Sequence, residues 1–341
     1  MSTRSTVPAR PRWRAHLVPT RLVIGPPVIE TRPPASVPAK DAPRPRPSRP
    51  REPGPDAPPA VVTAHIAISA LRIIAALLVA FVAHVALLGS LTQHRDQAVL
   101  YDEVRESLAR GETTLGQTDI DGRLLAPGTP VAVLEIPSLA LRQVVVEGTS
   151  SAELTSGPGH RRDTVLPGQA GVSIVMGRQA GFGGPFGRIT ELRLGATILV
   201  TTGQGRHEYR VLAARGAGDP APAPPAVGTG RLTLMTGDGW AYLPTDVLRV
   251  DATLVSEAFP SAARTVTAAQ LRPAELAMQG DPSAYVPLLL WSQLFLVAVA
   301  ATSWTRVRWG RWQTWLVSVP LLTVLFLEVA DQVARLLPNL L

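Results

Sequence analysis

The sequence predicts a mainly β protein: a closed β-barrel with short helices, to which three transmembrane α-helices are added. Short apolar or alternating segments lie between Gly- and Pro-rich turns, and the stretches between them are too short for repeated crossover helices. This pattern favours a barrel of mainly antiparallel strands over an α/β sheet. The predicted strands are residues 130–136, 142–147, 171–176, 196–202, 207–213, 231–236 and 247–255.

Residues 1–62 form a Pro- and Arg-rich tail that we predict to be disordered and cytoplasmic. Its first 60 residues contain ten Arg and one Lys against four acidic residues. The net charge of this tail, +7, equals the net charge of the whole chain. Such a composition cannot bury enough apolar surface to offset its chain entropy. A basic tail beside a membrane favours contact with anionic lipid. Nucleic-acid binding would need a folded basic face or several aromatic groups, and Trp13 is the only aromatic residue of this tail.

Residues 66–91 are predicted to form the first transmembrane helix, because the apolar run is long enough to cross a bilayer core of about 30 Å. No small-residue cleavage site follows it, so it is interpreted as an uncleaved anchor. Residues 93–111 are predicted to form a helical stalk, because the apolar residues Leu100, Val104 and Leu108 are spaced by four residues. The barrel is expected over residues 112–257.

A connector, residues 258–283, leads to two further predicted membrane helices, residues 285–304 and 313–337. The loop between them, residues 305–312, is rich in Arg and Trp. Arg in a short loop marks the cytoplasmic side, and Trp favours the membrane interface. The predicted protein is therefore a multi-pass plasma-membrane protein with a cytoplasmic N-terminus and an extracellular barrel.

Two of the predicted strands end in a similar way. Residues Ser173–Gln179 and Arg231–Asp238 are both apolar strands that finish at a Gly followed by a charged side chain. They resemble the paired active-site strands of sortases, the membrane-anchored cysteine transpeptidases of Gram-positive cell surfaces. Further matches run in the same order over residues 116–256, and the resemblance is to class E-like members.

The resemblance implies a catalytically degenerate site. In the family the first strand ends Gly-His-Arg and the second ends in Cys, whereas here the His position holds Arg178 and the Cys position holds Gly237. Arg249 matches the active-site arginine, and the chain contains no cysteine. Transpeptidation needs a thiolate, an imidazolium and a guanidinium, of which only the last is retained. We therefore predict a pseudoenzyme without cofactor or metal, whose groove binds a sorting-signal-like peptide or a cell-envelope protein.

Four residues are candidates for binding at this groove: Arg178, Arg249, Asp238 and Thr236. The first two lie close together if the resemblance holds, and two guanidinium groups repel each other unless an anion lies between them. One hypothesis is an internal salt bridge, Arg178–Asp238, that plugs the site. The other is an open groove that binds a peptide carboxylate or an acidic cell-wall group. The side chain of Thr236 is expected to face away from that of Gly237.

Two other functions stay open at this stage. A transpeptidase or hydrolase could use displaced catalytic groups, for which His160 and His207 are the available imidazoles, although neither lies on the two matched strands. We expect His160 to be a turn residue with local hydrogen bonds. Alternatively, the barrel is only a spacer, and the membrane helices make the contacts of a larger complex.

Overall fold

The computed structural model describes residues 59–119, 121–263, 265–308 and 311–341. Residues 1–58, which make up most of the predicted tail, lie outside the described residues, as do two residues of the predicted Arg/Trp loop.

A long helical run opens the described chain. It consists of helix α1 (Pro59–Ala83), a π-helical segment (His84–Leu88) and helix α2 (Gly89–Arg110). Gly111 ends the run with φ of 69°, a left-handed conformation that glycine adopts without steric cost, and its N–H caps the carbonyl of Leu108.

The eight strands that follow form a closed barrel in the order β1-β2-β3-β4-β7-β8-β6-β5, which confirms the predicted fold class. Most neighbouring pairs are antiparallel, and two, β2–β3 and β4–β7, are parallel. The sequence pattern did not reveal β3, because a strand of two residues has no periodicity. The strands are β1 (Pro130–Ile136), β2 (Leu141–Glu147), β3 (Gly159–His160), β4 (Gly171–Met176), β5 (Thr197–Thr202), β6 (Gly205–Arg215), β7 (Gly230–Trp240) and β8 (Leu243–Leu254).

Alternate strand residues fill the interior of the barrel. Leu134, Leu232 and Val250 are fully buried there, as the two-residue period of a strand requires. Tyr209 is also buried, and its hydroxyl accepts a hydrogen bond of 2.6 Å from the Gly168 N–H. This apolar interior fixes the positions of the strand ends at which the candidate site lies.

Helix α2 packs along the outside of the barrel. Its Val104 lies against Val133 of β1 and Val144 of β2. The Gln97 amide pairs with the main chain of β2, since its Nε2 donates to the Val144 carbonyl at 3.1 Å and its Oε1 accepts from the Val144 N–H at 2.6 Å. The helix is therefore joined to the barrel along its length and is not a free-standing stalk.

Two more helices close the chain, α3 (Tyr285–Arg308) and α4 (Arg311–Leu336). Three of the helical stretches within the described residues are long and apolar enough to cross a membrane: Leu71–Arg110, Pro282–Thr305 and Thr314–Leu336.

The segment between the barrel and α3 is held by a buried ion pair. Arg162 donates two hydrogen bonds to the fully buried carboxylate of Glu275, at 2.6 and 2.9 Å. Burial raises the pKa of Glu275. The hydrogen bonds from Arg162 and Arg272 and the charges of these arginines lower it by more than burial raises it, so the net shift is downward. The carboxylate is thus ionised at neutral pH.

Candidate functional site

Three neighbouring strands bring the matched positions together. Met176 near the end of β4 pairs with Met235 of β7, and Met235 pairs in turn with Arg249 of β8. The Gly177 N–H extends the first pairing with a hydrogen bond of 2.9 Å to the Met235 carbonyl. Arg178 therefore follows directly after β4, beside the part of β7 that carries Gly237.

A groove lies on the outer face of these strands. Its walls are the apolar side chains of Leu154, Met176, Met235 and Val247, which form a cluster separate from the barrel interior. Because Gly237 pairs with Val247 across the β7–β8 hairpin, the Gly237 position faces the same groove.

Thr236, one of the predicted binding residues, lies on the other face of β7. It pairs with Leu248, which belongs to the interior cluster, and its side chain is buried. Its hydroxyl has no hydrogen-bond partner among the described residues. Successive strand residues point to opposite faces, so Thr236 cannot contact an occupant of the groove.

The groove is filled by the chain itself. Residues Leu337–Leu341, hereafter the resident segment, follow α4 and run through it. Leu340 is fully buried among the four apolar walls. The Gln179 N–H donates to the Leu340 carbonyl at 3.0 Å, and the Gly181 N–H donates to the Leu341 carbonyl at 3.2 Å. The resident segment is thus bound by main-chain groups as well as by an apolar pocket.

Asn339 fixes the other side of the resident segment. Its side-chain Nδ2 donates to the carbonyls of Thr149 at 2.7 Å and Leu276 at 3.0 Å, and its N–H donates to the Gln279 carbonyl at 2.9 Å. In addition, the Ser151 hydroxyl donates to the Leu337 carbonyl at 3.0 Å. Neither the resident segment nor these contacts were foreseen from the sequence, because they join residues far apart in the chain and leave no local pattern.

Gly237 leaves the space that the resident segment uses. A Cβ atom at this position would lie 2.8 Å from the Pro244 Cβ and 3.0 Å from the Leu340 carbonyl oxygen. Both distances are shorter than ordinary van der Waals contacts, so any side chain here would force the hairpin or the resident segment to move. The absence of a side chain at Gly237 thus leaves room for the main chain of Leu340.

Arg178 is fully buried next to the groove. Its Nε donates to the Leu154 carbonyl at 3.2 Å, its Nη2 donates to the Ser151 carbonyl at 2.9 Å, and its guanidinium lies 4.8 Å from the centre of the Phe182 ring. Its Nη1 has no hydrogen-bond partner among the described residues. Burial lowers the pKa of Arg178 to about 10, and the carboxylate of Asp331 opposes this shift. The group is still charged at neutral pH.

The hypothesis of an internal Arg178–Asp238 plug is wrong. Arg178 turns towards the carbonyls near residue 154, and one carboxylate oxygen of Asp238 accepts a hydrogen bond of 2.9 Å from the N–H of the next residue, Gly239. Asp238 is two residues from Thr236 on β7, so it also points away from the groove. Among the described residues, Asp238 forms no ion pair.

The hypothesis of an open anion groove fails as well. Leu340 fills the apolar pocket of the groove. Arg249 is half-buried, and its Nη1 donates to the Val247 carbonyl of its own strand at 3.2 Å. The structure therefore places the two arginines near the same strand ends without showing an anion site between them.

A second polar cluster, hereafter the histidine cluster, consists of His160, Glu147 and Thr164. The His160 Nδ1 lies 2.7 Å from a Glu147 carboxylate oxygen, and its Nε2 lies 2.9 Å from the Val165 carbonyl and 3.1 Å from the Thr164 hydroxyl. Hydroxyl, imidazole and carboxylate are the residue types of a catalytic triad. The expectation of a turn residue with local bonds missed this pair, although β3 places His160 opposite Glu147 of β2.

The protonation of His160 argues against a triad. Burial lowers the pKa of His160, but the Glu147 carboxylate and the hydrogen bonds outweigh this effect, and the net shift is upward. Both ring nitrogens lie against acceptors, Nδ1 against the Glu147 carboxylate and Nε2 against the Val165 carbonyl, so both donate. Such a ring cannot accept a proton from Thr164, whose hydroxyl donates to the Arg161 carbonyl at 2.7 Å.

His207 offers no base at the groove. Its Nε2 lies 3.2 Å from the Thr202 hydroxyl, and its ring packs edge-on against Phe259. Burial lowers its pKa, so the ring is neutral at pH 7. No group of three or more His, Asp or Glu side chains in the described part of the chain is arranged to hold a metal ion.

Part of the chain is similar to known proteins. Residues 134–247 match the family model described as the sortase domain. No curated protein matches the chain. Similar solved structures include a sortase D5 transpeptidase of Clostridium perfringens (18% identity, TM-score 0.39, covering 48% of this chain and 99% of that one). A sortase E of Streptomyces avermitilis is 28% identical (TM-score 0.34, 43% and 100% covered). Sortase E1 of Streptomyces coelicolor, solved with a tripeptide in its active site, is 25% identical (TM-score 0.33, 43% and 99% covered).

Proposed function

We propose that this chain, which carries a sortase domain at residues 134–247, is a non-enzymatic binding or assembly component of the cell envelope. The observation that carries the proposal is the contact between Gly237 and the Leu340 carbonyl. At the position matched to the family's nucleophile there is no side chain, and the space is taken by the chain's own main chain. Peptide-bond chemistry of the sortase kind has no attacking group there.

The second matched position supports the same proposal. Arg178 stays protonated near neutral pH, so it cannot donate and recover a proton during a reaction as a histidine does. It is also fully buried, and two of its nitrogens are bound to main-chain carbonyls.

The alternative, an enzyme with displaced catalytic groups, would have to use the histidine cluster. Its residue types fit, but His160 and Glu147 are buried, and both ring nitrogens of His160 lie against acceptors to which they donate. A general base must be unprotonated and within reach of the group from which it takes a proton. The histidine cluster meets neither condition, so we favour the non-enzymatic function.

We further propose that the protein spans the plasma membrane of a Gram-positive cell three times, with the N-terminus inside and the barrel outside. Three stretches have the necessary length and composition. The Arg-rich tail and the Arg/Trp loop both favour the cytoplasmic side, and the tail would contact anionic lipid. The proposed partner of the exposed barrel is a peptide or a protein of the envelope.

The proposal is tested by searching for turnover. The full chain in detergent is incubated with a sorting-signal peptide and hydroxylamine, beside an active sortase as positive control, and hydroxamate product is measured by mass spectrometry. We expect no product from this chain. Since the chain has no cysteine, iodoacetamide removes the activity of any contaminating sortase without modifying a cysteine of this protein. Product that survives iodoacetamide and disappears in Arg249→Ala would contradict the proposal.

A further inference from the structure

The resident segment has the contacts of a bound peptide. We propose that Leu337–Leu341 are a displaceable internal ligand of the groove, and that a turn-forming peptide of a partner protein binds there by replacing them. This inference rests on the proposed function, since it takes the groove to be a binding site, and it adds the regulation of that site and the chemistry of its ligand.

The groove recognises the resident segment through main-chain donors and an apolar pocket. The segment itself forms a turn, in which the Leu341 N–H donates to the Pro338 carbonyl at 3.0 Å. Two main-chain donors, the N–H groups of Gln179 and Gly181, bind consecutive carbonyls, and the apolar pocket receives one leucine side chain. Main-chain hydrogen bonds combined with side-chain pockets are a common mode of peptide recognition. The Asn339 amide adds specificity, because its Nδ2 donates to the carbonyls of Thr149 and Leu276.

The resident segment does not satisfy the groove completely. Arg178 Nη1 is buried without an acceptor, and it lies 3.9 Å from the Cβ position of Gly181, the residue whose N–H binds Leu341. The Oδ1 of Asn339 has no partner either among the described residues. Buried polar groups in folded proteins are usually paired, and an unpaired charged donor is especially costly. A partner peptide with an acceptor that reaches Arg178 would therefore bind better than the resident segment.

Release of the resident segment does not require the barrel to unfold. The barrel closes through pairing of β1 with β5, and the resident segment contributes no strand to it. The end of α4, from which the resident segment continues, is held separately, because Arg335 of α4 donates to the Asp281 carboxylate at 3.0 Å. The ligand chemistry that follows is a peptide that can form the same turn, with a branched aliphatic side chain for the pocket and a carbonyl or carboxylate acceptor beside Arg178.

The test empties the groove and measures binding in trans. The probe is a fluorescent synthetic peptide with the sequence of residues 337–341, and the protein is the full chain in detergent, with binding followed by anisotropy. Leu340→Asp places a charge in the apolar pocket and is expected to expel the resident segment. The matched control is Leu194→Asp, at a leucine that is 73% exposed. We expect Leu340→Asp to bind the probe at least about tenfold more tightly than the wild type, while the control binds as the wild type does, because occupancy lowers the apparent affinity.

Two further variants make the result decisive. A chain lacking residues 338–341 empties the groove without introducing a charge and should bind the probe as Leu340→Asp does. In this shortened chain, Val247→Asp alters the pocket and should abolish binding. If the shortened chain fails to bind the probe, or if binding survives Val247→Asp, the inference is overturned. Turnover by the shortened chain would instead contradict the proposed function and leave the internal ligand in place.

Discussion

The histidine cluster and the surroundings of Arg178 lie on adjacent strands, since His160 of β3 pairs with Val175 of β4. Both contain a fully buried, positively charged side chain. At His160 the charge has a carboxylate partner at 2.7 Å and both ring nitrogens are bonded. At Arg178 the guanidinium is bound only to carbonyls and an aromatic ring, and one nitrogen has no partner among the described residues.

This comparison shows that the residue types at a site do not by themselves decide whether the site can bind or react. The histidine cluster has the composition of a catalytic site, yet every polar group of the His160 ring is used inside the protein. The Arg178 region does not have that composition, yet it has a donor without a partner among the described residues, next to the segment that we propose to be displaceable. Binding capacity therefore lies at Arg178, and structural stability lies at His160.

The largest expected effect comes from removing the anion of the histidine cluster. Glu147→Leu leaves His160 buried without a carboxylate, and breaking a buried pair in this way costs about 3–5 kcal/mol. The measurement is the free energy of unfolding of the full chain in detergent by chemical denaturation. The matched control is Glu112→Leu, whose ion pair with Arg110 is solvent-exposed and should matter little. Equal effects of the two changes would show that the His160–Glu147 pair is not structural.

A smaller effect is expected at Gly237. Gly237→Ala inserts a Cβ against Pro244 and the Leu340 carbonyl, and overpacking of this kind costs about 1–3 kcal/mol. In the chain lacking residues 338–341 the penalty should decrease, because only the Pro244 contact remains, so the two changes are not additive. The control is Gly216→Ala, where the nearest atom to the added Cβ is 3.9 Å away. An unchanged penalty in the shortened chain would mean that the resident segment does not lie against Gly237.

The histidine cluster also predicts a pH dependence. The pKa of His160 in the folded protein is raised above its ordinary value of about 6.5, so folding favours the protonated ring. Its contribution to stability is complete below that ordinary value and is lost as the pH rises through the folded-state pKa. The free energy of unfolding of the wild type minus that of His160→Gln should therefore decrease between about pH 6 and about pH 9. A difference that grows over this range would reverse the assigned direction.

The smallest effect is expected at Arg178. Arg178→Met replaces a buried cation by an apolar side chain of similar length. In the part of the chain that the structure describes, no carboxylate forms an ion pair with Arg178. The change relieves the cost of burying a charge, and this gain offsets the loss of the hydrogen bonds to the Leu154 and Ser151 carbonyls. The free energy of unfolding should change by less than about 1 kcal/mol, whereas the shortened chain carrying Arg178→Met should bind the probe peptide more weakly than the shortened chain alone. A large decrease in the free energy of unfolding would contradict this prediction and show that Arg178 stabilises the fold, as we expect the His160–Glu147 pair to do.

Much of the fold could be predicted because it has local signals. Strand alternation and Gly/Pro turns indicated every strand longer than two residues, and hydrophobic length indicated the three candidate membrane helices. The adjacency of Arg178, Gly237 and Arg249 followed from the resemblance, and the strand pairing places them at neighbouring strand ends.

The contents of the site could not be predicted. Asp238 is near Gly237 in sequence, but the strand alternation turns it away, so proximity in the chain misled the ion-pair hypothesis. The resident segment is about a hundred residues from Gly237, and Leu340 is an ordinary apolar residue at the end of a helical pattern. Only tertiary packing shows that it fills the groove.

The central claim, that the chain's own residues occupy the groove, is tested most directly by hydrogen exchange at two amides. The N–H groups of Gln179 and Gly181 donate to the resident segment. Exchange is measured residue by residue on the full chain in detergent and on the chain lacking residues 338–341. We predict slow exchange of both amides in the full chain and fast exchange in the shortened chain, with the Gly177 amide, bonded to Met235, unchanged in both. Equal exchange rates for Gln179 and Gly181 in the two proteins would contradict the account.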